Sequence, residues 1–513
     1  MTGLIPLPPG TAPGLAPRWQ ELFAAGAEVG TAAPRLRDLS RVELRSGPLF
    51  AEAGFTDRLR ARHARLGSDA ASQESIDALA AGAACVVTGQ QPHLLAGPFY
   101  TAWKILGAIA LAQRLSELHE TPVVPVYWCG SDDADFDEVS AAWLFDAGRG
   151  PWRLSIPAGE WHSGQPVGDV AAGRLAALEE AALVGLHGAG MDWLRATAPT
   201  IPDTGLADRA SAWLLRMFRD SGLVVIDARD DLLAGAARPL LERYAGSRAE
   251  VARAVEERVL QRSDQGWAPA LDPAARESGI FALREGRRVK VTPEELDAGS
   301  AMRWSWSPSV LLRPVVQDAL LAPVAAVLGP GELAYHAEIP PVYEALGVVA
   351  ARPVPRPHLT LTGSSWGWPS EPGAVARLLA GGGGARAELA RLGLSDVGRE
   401  AFDEFSADLD KALGKIELRL ARPMGPRARA RFDREVRRLQ KAEVDRSGGS
   451  VERRAQWLAR GRRSQERVYS SWLLWAWCAD PVKTVLGPLA AAWIGAIDRA
   501  EAVQWALPLE EIR

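Results

Sequence analysis

Two stretches of the sequence place polar and charged side chains directly after short apolar runs. The first, VVTGQQPHLLAGPFYTAWK, spans residues 86–104, and the second, TPVVPVYWCGSDDADFDEV, spans residues 121–139. In a parallel sheet, ligands bind at the carboxyl ends of the strands, where turns expose backbone N–H groups and helix N-termini favour anions. The two stretches therefore predict one binding site at such an edge.

The first stretch carries groups that suit an anionic ligand. Gly89 permits a tight turn, and Pro98 suits the first turn of a helix because its missing N–H would have no partner there. His93 at the helix entrance is a candidate for phosphate binding or catalysis, and a polar loop residue is the alternative. The candidate binding residues are Gln90, Gln91, Gly97, Tyr100 and Thr101. Lys104 is a candidate catalytic residue, as a cation for phosphate or carboxylate. A loop that only packs is the alternative for the whole stretch.

The second stretch carries three carboxylates at alternate positions, Asp133, Asp135 and Asp137. In an extended backbone all three would lie on one side, and like charges this close need a cation. Magnesium with a nucleotide, or the ammonium group of a substrate, would meet that need. Helix capping by one of the aspartates is the alternative. We predict Asp133 and Asp135 as catalytic residues, Asp137 as a binding residue, and all three as candidate magnesium ligands.

A third stretch, SPSVLLRPVVQDALLAPVAAVLGPGELAYHAEIPPVYEALGV, spans residues 307–348 and contains a glycine turn after an apolar strand. Another polar position follows the last apolar strand, at Arg356. Both features predict side chains at the carboxyl edge, although a tight Gly-Pro-Gly turn without a ligand is the alternative. The candidates for substrate or nucleotide binding are Arg313, Asp318, Gly329, Glu332, Tyr335 and Arg356.

The elements that position these residues follow a strand–helix–strand order. ACVVTG predicts a buried strand, PFYTAWKILGAIALAQRLSEL a helix, and TPVVPVYWCG the next strand, all within about fifty residues, which is typical of a βαβ unit. GLVVIDARD and PVAAVLGPGELAYH repeat the pattern of a strand followed by a turn. The predicted fold class is α/β with a parallel-sheet core.

The chain divides into segments by composition and apolar spacing. The predicted segments are an N-terminal helical segment (1–83), the first part of the core (84–230), an inserted module with a β-hairpin (231–308), the second part of the core (309–365), a linker (366–386), an antiparallel helical hairpin or coiled coil (387–467), and a C-terminal segment that packs on the core or on a second subunit (468–513). The hairpin and the aromatic C-terminal segment predict a homodimer.

Composition argues against a disordered or fibrous protein, and the apolar pattern argues against a membrane span. With 513 residues, 47% hydrophobic and 24% charged, the chain predicts two to four globular units. Three scattered cysteines and no long apolar run predict a reducing cytoplasm without export or membrane anchor. Residues 419–467 hold fifteen arginines and one lysine against six acidic residues, although the net charge of the chain is −4. An anion-binding face and a solvated helix surface both explain that segment, and we expect no nucleic acid partner.

Four blocks together resemble the bacillithiol-synthesis cysteine ligase family BshC. They are TGQQPHLLAGPFYTAWK, PVVPVYWCGSDDADFDEV, the stretch 307–348 and RSQERVYSSW at residues 463–472. The resemblance implies a Rossmann-like core related to class I nucleotidyltransferases, with connecting-peptide insertions and a C-terminal antiparallel coiled coil. It also implies addition of L-cysteine to glucosaminyl-malate, the last step of bacillithiol synthesis, with an adenine nucleotide bound in some members.

The chain departs from the family pattern at two places. Where the family's acidic block reads Glu-Asp-His-Asp, this sequence has Asp-Asp-Ala-Asp, with Ala134 in place of the histidine. Where a small residue follows the glutamine pair, this sequence has Pro92 and His93. We hypothesise that His93 replaces the missing imidazole from across the crevice.

The predicted function is an ATP-dependent ligase that activates a carboxylate, as acyl phosphate or acyl adenylate, and passes it to the amine of cysteine. Activation is required because oxide is a poor leaving group. The glutamine pair and the turn N–H groups would hold an anion, Lys104 and Arg313 would balance charge at phosphorus, and the aspartates would orient an ammonium or Mg²⁺. The expected cofactor is ATP or ADP with Mg²⁺. The alternatives are a metal-dependent nucleotide-sugar glycosyltransferase and a non-catalytic coiled-coil scaffold.

Overall fold

The computed structural model describes residues 5–7, 36–146, 149–201, 205–277, 279–363, 450–460, 463–499 and 504–509, together with the single residues Leu378, Asp408 and Lys411. Almost all of the predicted linker and most of the predicted coiled coil lie outside these residues. Both therefore stay predictions.

A five-stranded parallel sheet forms the centre of the described chain. In chain order the strands are β1 Ile5–Leu7, β2 Ala84–Gln90, β3 Val123–Cys129, β4 Ala141–Asp146, β5 Gly150–Ser155, β6 Val224–Asp227, β7 Ile280–Arg284, β8 Arg287–Lys290, β9 Ser305–Pro308, β10 Ala325–Leu328, β11 Arg352–Pro355, β12 His358–Gly363, β13 Ala459–Arg460, β14 Arg463–Ser464 and β15 Gln504–Leu509. The order in the central sheet is β11-β10-β2-β3-β6, and each neighbouring pair is parallel.

Helices cover both faces of this sheet. In chain order the α-helices are α1 Leu36–Leu39, α2 Phe55–Leu66, α3 Ala70–Ala80, α4 Phe99–His119, α5 Phe136–Val139, α6 Ala172–Gly185, α7 Met191–Ala196, α8 Leu206–Met217, α9 Asp231–Asp264, α10 Pro273–Glu277, α11 Pro293–Asp297, α12 Arg313–Leu321, α13 Pro330–His336, α14 Pro340–Leu346, α15 Ser450–Leu458, α16 Gln465–Val468, α17 Trp472–Trp477 and α18 Gly487–Arg499.

The sequence of β2 explains why the sheet is covered on both faces. Its first five residues are all buried, and successive side chains point to opposite faces of a strand. Ala84 and Val86 belong to one hydrophobic cluster, whereas Cys85 and Val87 belong to the other. The helix α4 links β2 to its parallel neighbour β3. The predicted βαβ unit and the Rossmann-like α/β fold are confirmed.

The segment predicted as an inserted module, residues 231–308, contains a small antiparallel sheet. Its order is β8-β7-β9, and Phe281 pairs with Lys290 across the hairpin of β7 and β8. The β-hairpin predicted within residues 231–308 is therefore present. The long helix α9 contacts α14, which connects the module to the second part of the core.

The aromatic C-terminal segment packs on the core of its own chain. The Trp472 ring lies 4.4 Å from the Trp213 ring, centroid to centroid, and the Trp493 indole N–H donates to the Pro355 carbonyl at 3.1 Å. The tryptophans that the structure describes in this segment are buried within their own chain. Within the described residues, no helix has both the length and the apolar character needed to cross a membrane.

Candidate active site

A cavity of about 1100 Å³ opens where the parallel strands end. Its walls come from the ends of β2, β3, β10 and β11 and from the inserted hairpin. Most of the predicted site residues line it: His93, Lys104, Asp133, Asp135, Gln90, Gln91, Tyr100, Asp137, Arg313, Gly329, Glu332, Tyr335 and Arg356. The structure thus brings together residues that are as far apart as 266 positions in the sequence.

Side-chain hydrogen bonds connect one wall of the cavity to the other through the two glutamines. The Lys104 ammonium donates to the Gln90 amide oxygen at 3.0 Å, and the Gln90 amide nitrogen donates to the Gln91 amide oxygen. The Gln91 amide nitrogen donates to Asp133 at 3.2 Å and to Glu138 at 3.0 Å. An ammonium can only donate and an ionised carboxylate can only accept, so the two ends fix the orientation of both amides.

Lys104 is buried, and all three of its N–H groups have partners within the protein. Besides Gln90, it donates to the Gly89 carbonyl at 2.7 Å and forms an ion pair with Glu332 at 2.6 Å. Glu332 also accepts from the Gly329 backbone N–H at 2.7 Å. Burial lowers the pKa of Lys104, and Glu332 opposes that effect. In this structure Lys104 holds the cavity wall together, so its predicted role as the cation for a ligand phosphate would require these bonds to break.

Asp133 is held as a carboxylate by two guanidinium groups. Arg313 lies 3.3 Å and Arg288 lies 3.6 Å from its oxygens, and its Oδ1 accepts the backbone N–H of Ala134 at 2.8 Å. Burial alone would raise the pKa of Asp133, but the two arginines hold that pKa below its ordinary value. Asp133 is therefore ionised at neutral pH and is a poor proton acceptor.

The three aspartates do not share one extended face. Asp135 is the N-cap of α5, and its side chain accepts the backbone N–H of Glu138 at 3.2 Å, while Asp137 lies in the first turn of that helix. The expectation of an extended backbone is wrong because capping a helix N-terminus satisfies backbone N–H groups that a strand would leave open. Among the described residues, no group of three or more His, Cys, Asp or Glu side chains could hold a metal ion.

His93 lines the cavity, and one of its ring nitrogens is buried without a hydrogen-bond partner among the described residues. The ring is 3% exposed, and its Nδ1 lies 2.8 Å from the Gln91 carbonyl oxygen, to which it donates as N–H. Nε2 then carries the lone pair, and it has no hydrogen-bond partner among the described residues. Burial lowers the pKa of His93 to about 4. The imidazole is consequently neutral at pH 7 and a weaker base than an ordinary histidine, and its Nε2 can accept a hydrogen bond.

Three predicted residues do not line the cavity. Gly97 has φ +84° and its carbonyl accepts from Ser471, so it shapes the loop before α4. Thr101 is buried in that helix. Asp318 is buried as well, accepts from the Tyr343 hydroxyl and the Ala351 backbone N–H at 2.8 Å each, and has its pKa raised to about 6 by burial. These three residues lie outside the cavity wall, and their roles in binding a ligand stay predictions.

Four charged residues line the cavity that the sequence reasoning missed. They are Glu138, Arg288, Lys290 and Arg467. The pKa of Glu138 is raised, first because the surrounding cavity walls shield its carboxylate from water and then because the carboxylates of Asp135 and Asp133 repel its charge. Arg288 and Lys290 lie on β8 at alternate positions, which places both on one face of the hairpin. Arg288, Lys290 and Arg467 lie in the inserted hairpin and in the RSQERVYSSW block, and neither stretch follows a strand of the central sheet. Glu138 lies next to Asp137 in the stretch after β3.

The cavity therefore has an acidic side and a basic side. The rim after β3 carries exposed carboxylates at Asp135, Asp137 and Glu138. Guanidinium and ammonium groups come from the inserted hairpin, from α12 and from the segment after β11. Such an arrangement suits a ligand with both an ammonium and an anionic group.

The comparisons with known proteins all point to the same family. The model described as bacillithiol biosynthesis BshC, N-terminal Rossmann-like domain, matches residues 35–357. A protein of Geobacillus kaustophilus named "Putative cysteine ligase BshC" is 28% identical over 432 residues, which cover 76% of this chain and 71% of that protein. Proteins of the same name from Geobacillus thermodenitrificans and Koribacter versatilis are 30% and 29% identical, over 61% and 66% of this chain and 62% and 67% of their own lengths.

Proposed function

Because the chain belongs to the bacillithiol biosynthesis BshC family, we propose that it is a cysteine ligase, which joins L-cysteine to glucosaminyl-malate through an amide bond. The relatives carry the name of a cysteine ligase, which favours this function over the glycosyltransferase and the scaffold considered above. The substrates are small molecules with both ammonium and carboxylate groups, and the two-sided charge of the cavity supports that class.

The observation that carries the proposal is a pair of proton acceptors between charged walls, the Glu138 carboxylate with its raised pKa and the neutral His93 imidazole. Amide formation needs an amine that loses a proton as it attacks a carbonyl carbon. Glu138, whose pKa is raised, is the better acceptor for that proton, and His93 Nε2 is a second acceptor on the same cavity. The Nδ1 hydrogen bond to the Gln91 carbonyl fixes the tautomer in which Nε2 is free to accept.

The cavity offers the cationic side chains and the carboxylates that an adenine nucleotide with Mg²⁺ needs. ATP supplies a phosphoryl or adenylyl group that turns a carboxylate oxygen into a leaving group. Arg313, Arg288 and Lys290 would hold phosphate oxygens, and Asp135 or Asp137 would complete a magnesium ion held mainly by those phosphates. Their exposed carboxylates at the rim have the oxygen ligands that Mg²⁺ prefers.

Each wall then has its own task. The ionised Asp133 fixes Arg313 and Arg288, so these two cations are already in place when an anionic group binds. Gln91 connects Asp133 to Glu138 and holds His93 through its carbonyl. The acidic rim orients the ammonium of a substrate. Preorganised charges of this kind need no rearrangement at the moment of reaction.

The test is an endpoint assay by mass spectrometry with purified protein, ATP-Mg, cysteine and glucosaminyl-malate. We expect a cysteine adduct that requires the nucleotide, and the release of AMP or ADP identifies the phosphate that is attacked. Cysteine labelled with ¹⁸O in its carboxylate shows which acid is activated, because only an activated cysteine transfers the label to AMP or phosphate. Absence of adduct with each nucleotide would contradict the function.

The proposal also includes a cytoplasmic homodimer. The three cysteines are free and buried, which suits a reducing compartment. Most of the coiled coil that would form the dimer lies outside the described residues, and the tryptophans of the C-terminal segment that the structure describes are buried in their own chain. Light scattering that gives twice the 55.1 kDa of the chain would support the dimer, and a monomer mass would refute it.

A further inference from the structure

The block RSQERVYSSW joins the C-terminal part of the chain to the candidate site. The Gln465 side-chain amide donates to the Leu361 carbonyl and accepts its N–H, both at 2.8 Å. The Ser470 hydroxyl donates to the Leu95 carbonyl at 2.9 Å, and the Ser471 hydroxyl donates to the Gly97 carbonyl at 2.8 Å. The block is therefore fixed both to β12 and to the loop that carries His93.

Glu466, between these anchors, binds the guanidinium group of Arg356. The Arg356 Nη1 and Nη2 atoms lie 2.9 and 2.6 Å from the two Glu466 carboxylate oxygens. Both side chains are buried, and His358 Nδ1 lies 3.3 Å from the same carboxylate. Burial alone would raise the pKa of Glu466, but Arg356 holds it well below its ordinary value. The carboxylate is thus ionised across the physiological pH range.

The orientation of Arg356 relative to the cavity depends on this pair. Arg356 and Gly329 both line the cavity. The two residues are close, because a Cβ atom added to Gly329 would lie 3.6 Å from the Arg356 Nε. The Nε–H is buried and has no partner in the part of the chain that the structure describes. A bidentate carboxylate fixes both the position and the plane of a guanidinium, which is otherwise at the end of a flexible side chain.

Arg467 follows Glu466 in the chain but, unlike Glu466, is open to solvent. Arg467 is exposed, lines the cavity, and has no ion pair with any described residue. The adjacent pair therefore combines an acid that holds one arginine in place with a second arginine whose charge is open to a ligand.

We propose that Glu466 is a positioning residue for anion binding, which holds Arg356 so that Arg356 and Arg467 together bind a carboxylate or phosphate group of the substrate. This inference rests on the proposed function for the identity of the ligand. What it adds is an anion-binding site at one wall of the cavity. The carboxylates of glucosaminyl-malate and the phosphates of the nucleotide are the two sources of such a group.

The experiment is isothermal titration of the full-length protein with glucosaminyl-malate and, separately, with ADP. We expect Glu466→Gln to weaken binding of one of the two ligands by about tenfold or more, because the neutral amide brings an N–H₂ group toward a guanidinium that can only donate. The ligand that is affected identifies the source of the anion. Glu466→Asp keeps the charge and should recover part of the affinity.

The matched control is a second buried arginine–glutamate pair. Glu179 accepts two hydrogen bonds from Arg209 at 2.8 and 2.6 Å, and neither residue lines the cavity. Glu179→Gln should lower the melting temperature as much as Glu466→Gln does, yet leave both dissociation constants unchanged. A loss of affinity in both variants would show a general structural effect and would overturn the proposal.

Arg467→Gln provides a test that does not depend on the folding of a buried variant. Because Arg467 is exposed, the variant should fold and bind the same ligand about fivefold or more weakly. Unchanged affinity in this variant and in Glu466→Gln would overturn the proposal, as would a wild type that binds neither ligand. If the wild type binds and the variants lose affinity while no cysteine adduct forms in the endpoint assay, the proposed function fails and the anion site stands.

Discussion

Lys104 donates all three of its ammonium hydrogens to groups of the protein, so its removal should be felt as a loss of stability. Lys104→Met leaves the Glu332 carboxylate without its cation, and breaking a largely buried pair in this way costs about 3 kcal/mol or more. We expect a lower denaturation midpoint in urea. The exposed pair of Arg114 and Glu117 is the control, because Arg114→Met should cost less than about 1 kcal/mol. Equal midpoints for the two variants would contradict the structural role of Lys104.

His93 should determine turnover without determining the fold. His93→Gln keeps a polar side chain but removes the ring lone pair, so we expect kcat to fall by about 100-fold or more, which is the usual contribution of a general base. Because the pKa of His93 is about 4, the wild-type profile of kcat/KM should show no inflection near pH 6.5 and should fall only toward pH 4. Full turnover of His93→Ala, or an inflection near 6.5 that His93→Gln abolishes, would contradict this assignment.

At the scale of elements, the hairpin of β7 and β8 forms a wall of the cavity. Arg288 donates to the Ser307 hydroxyl at 3.1 Å and to the Pro308 carbonyl at 2.8 Å, so its guanidinium is held beside Asp133. We expect Arg288→Gln to raise KM for ATP by about tenfold, through the loss of a cation for phosphate. Arg287→Gln on the opposite face of the same strand should leave KM unchanged. Equal effects of the two substitutions would mean that only the hairpin's overall charge matters.

The sequence predicted the elements of the sheet more fully than the contents of the cavity. Continuous apolar runs such as ACVV indicate a strand that is buried on both faces. That pattern was enough to place Gln90 and Asp133 at the carboxyl edge of the sheet. Arg288 and Arg467 were missed because they reach the cavity from an insertion and from the C-terminal block. Asp135 was misplaced because alternation of three aspartates fits a strand, whereas the cap that it forms depends on a helix of only four residues.

At the scale of the whole molecule, burial of several histidines should make stability depend on pH. Burial lowers the pKa values of His63, His93, His336 and His358 to about 4. Since these folded-state pKa values lie below the ordinary value near 6.5, the unfolded chain binds more protons between pH 6.5 and 4. Stability should therefore fall as pH falls through that window. Asp318 acts in the opposite sense, because its pKa is raised to about 6 and its protonated form favours the folded state.

His63 allows this dependence to be tested away from the cavity. It is fully buried, lies 3.1 Å from the Val225 backbone through its Nε2, and does not line the cavity. We expect the melting temperature of the wild type to decrease from pH 7 to pH 5, and His63→Gln to decrease less over the same interval, whatever its stability at pH 7. His162→Gln, at an exposed position, should follow the wild type because its side chain is in solvent before and after unfolding. A His63 variant with the wild-type slope would mean that other groups, and not buried neutral imidazoles, set the acid sensitivity of the fold.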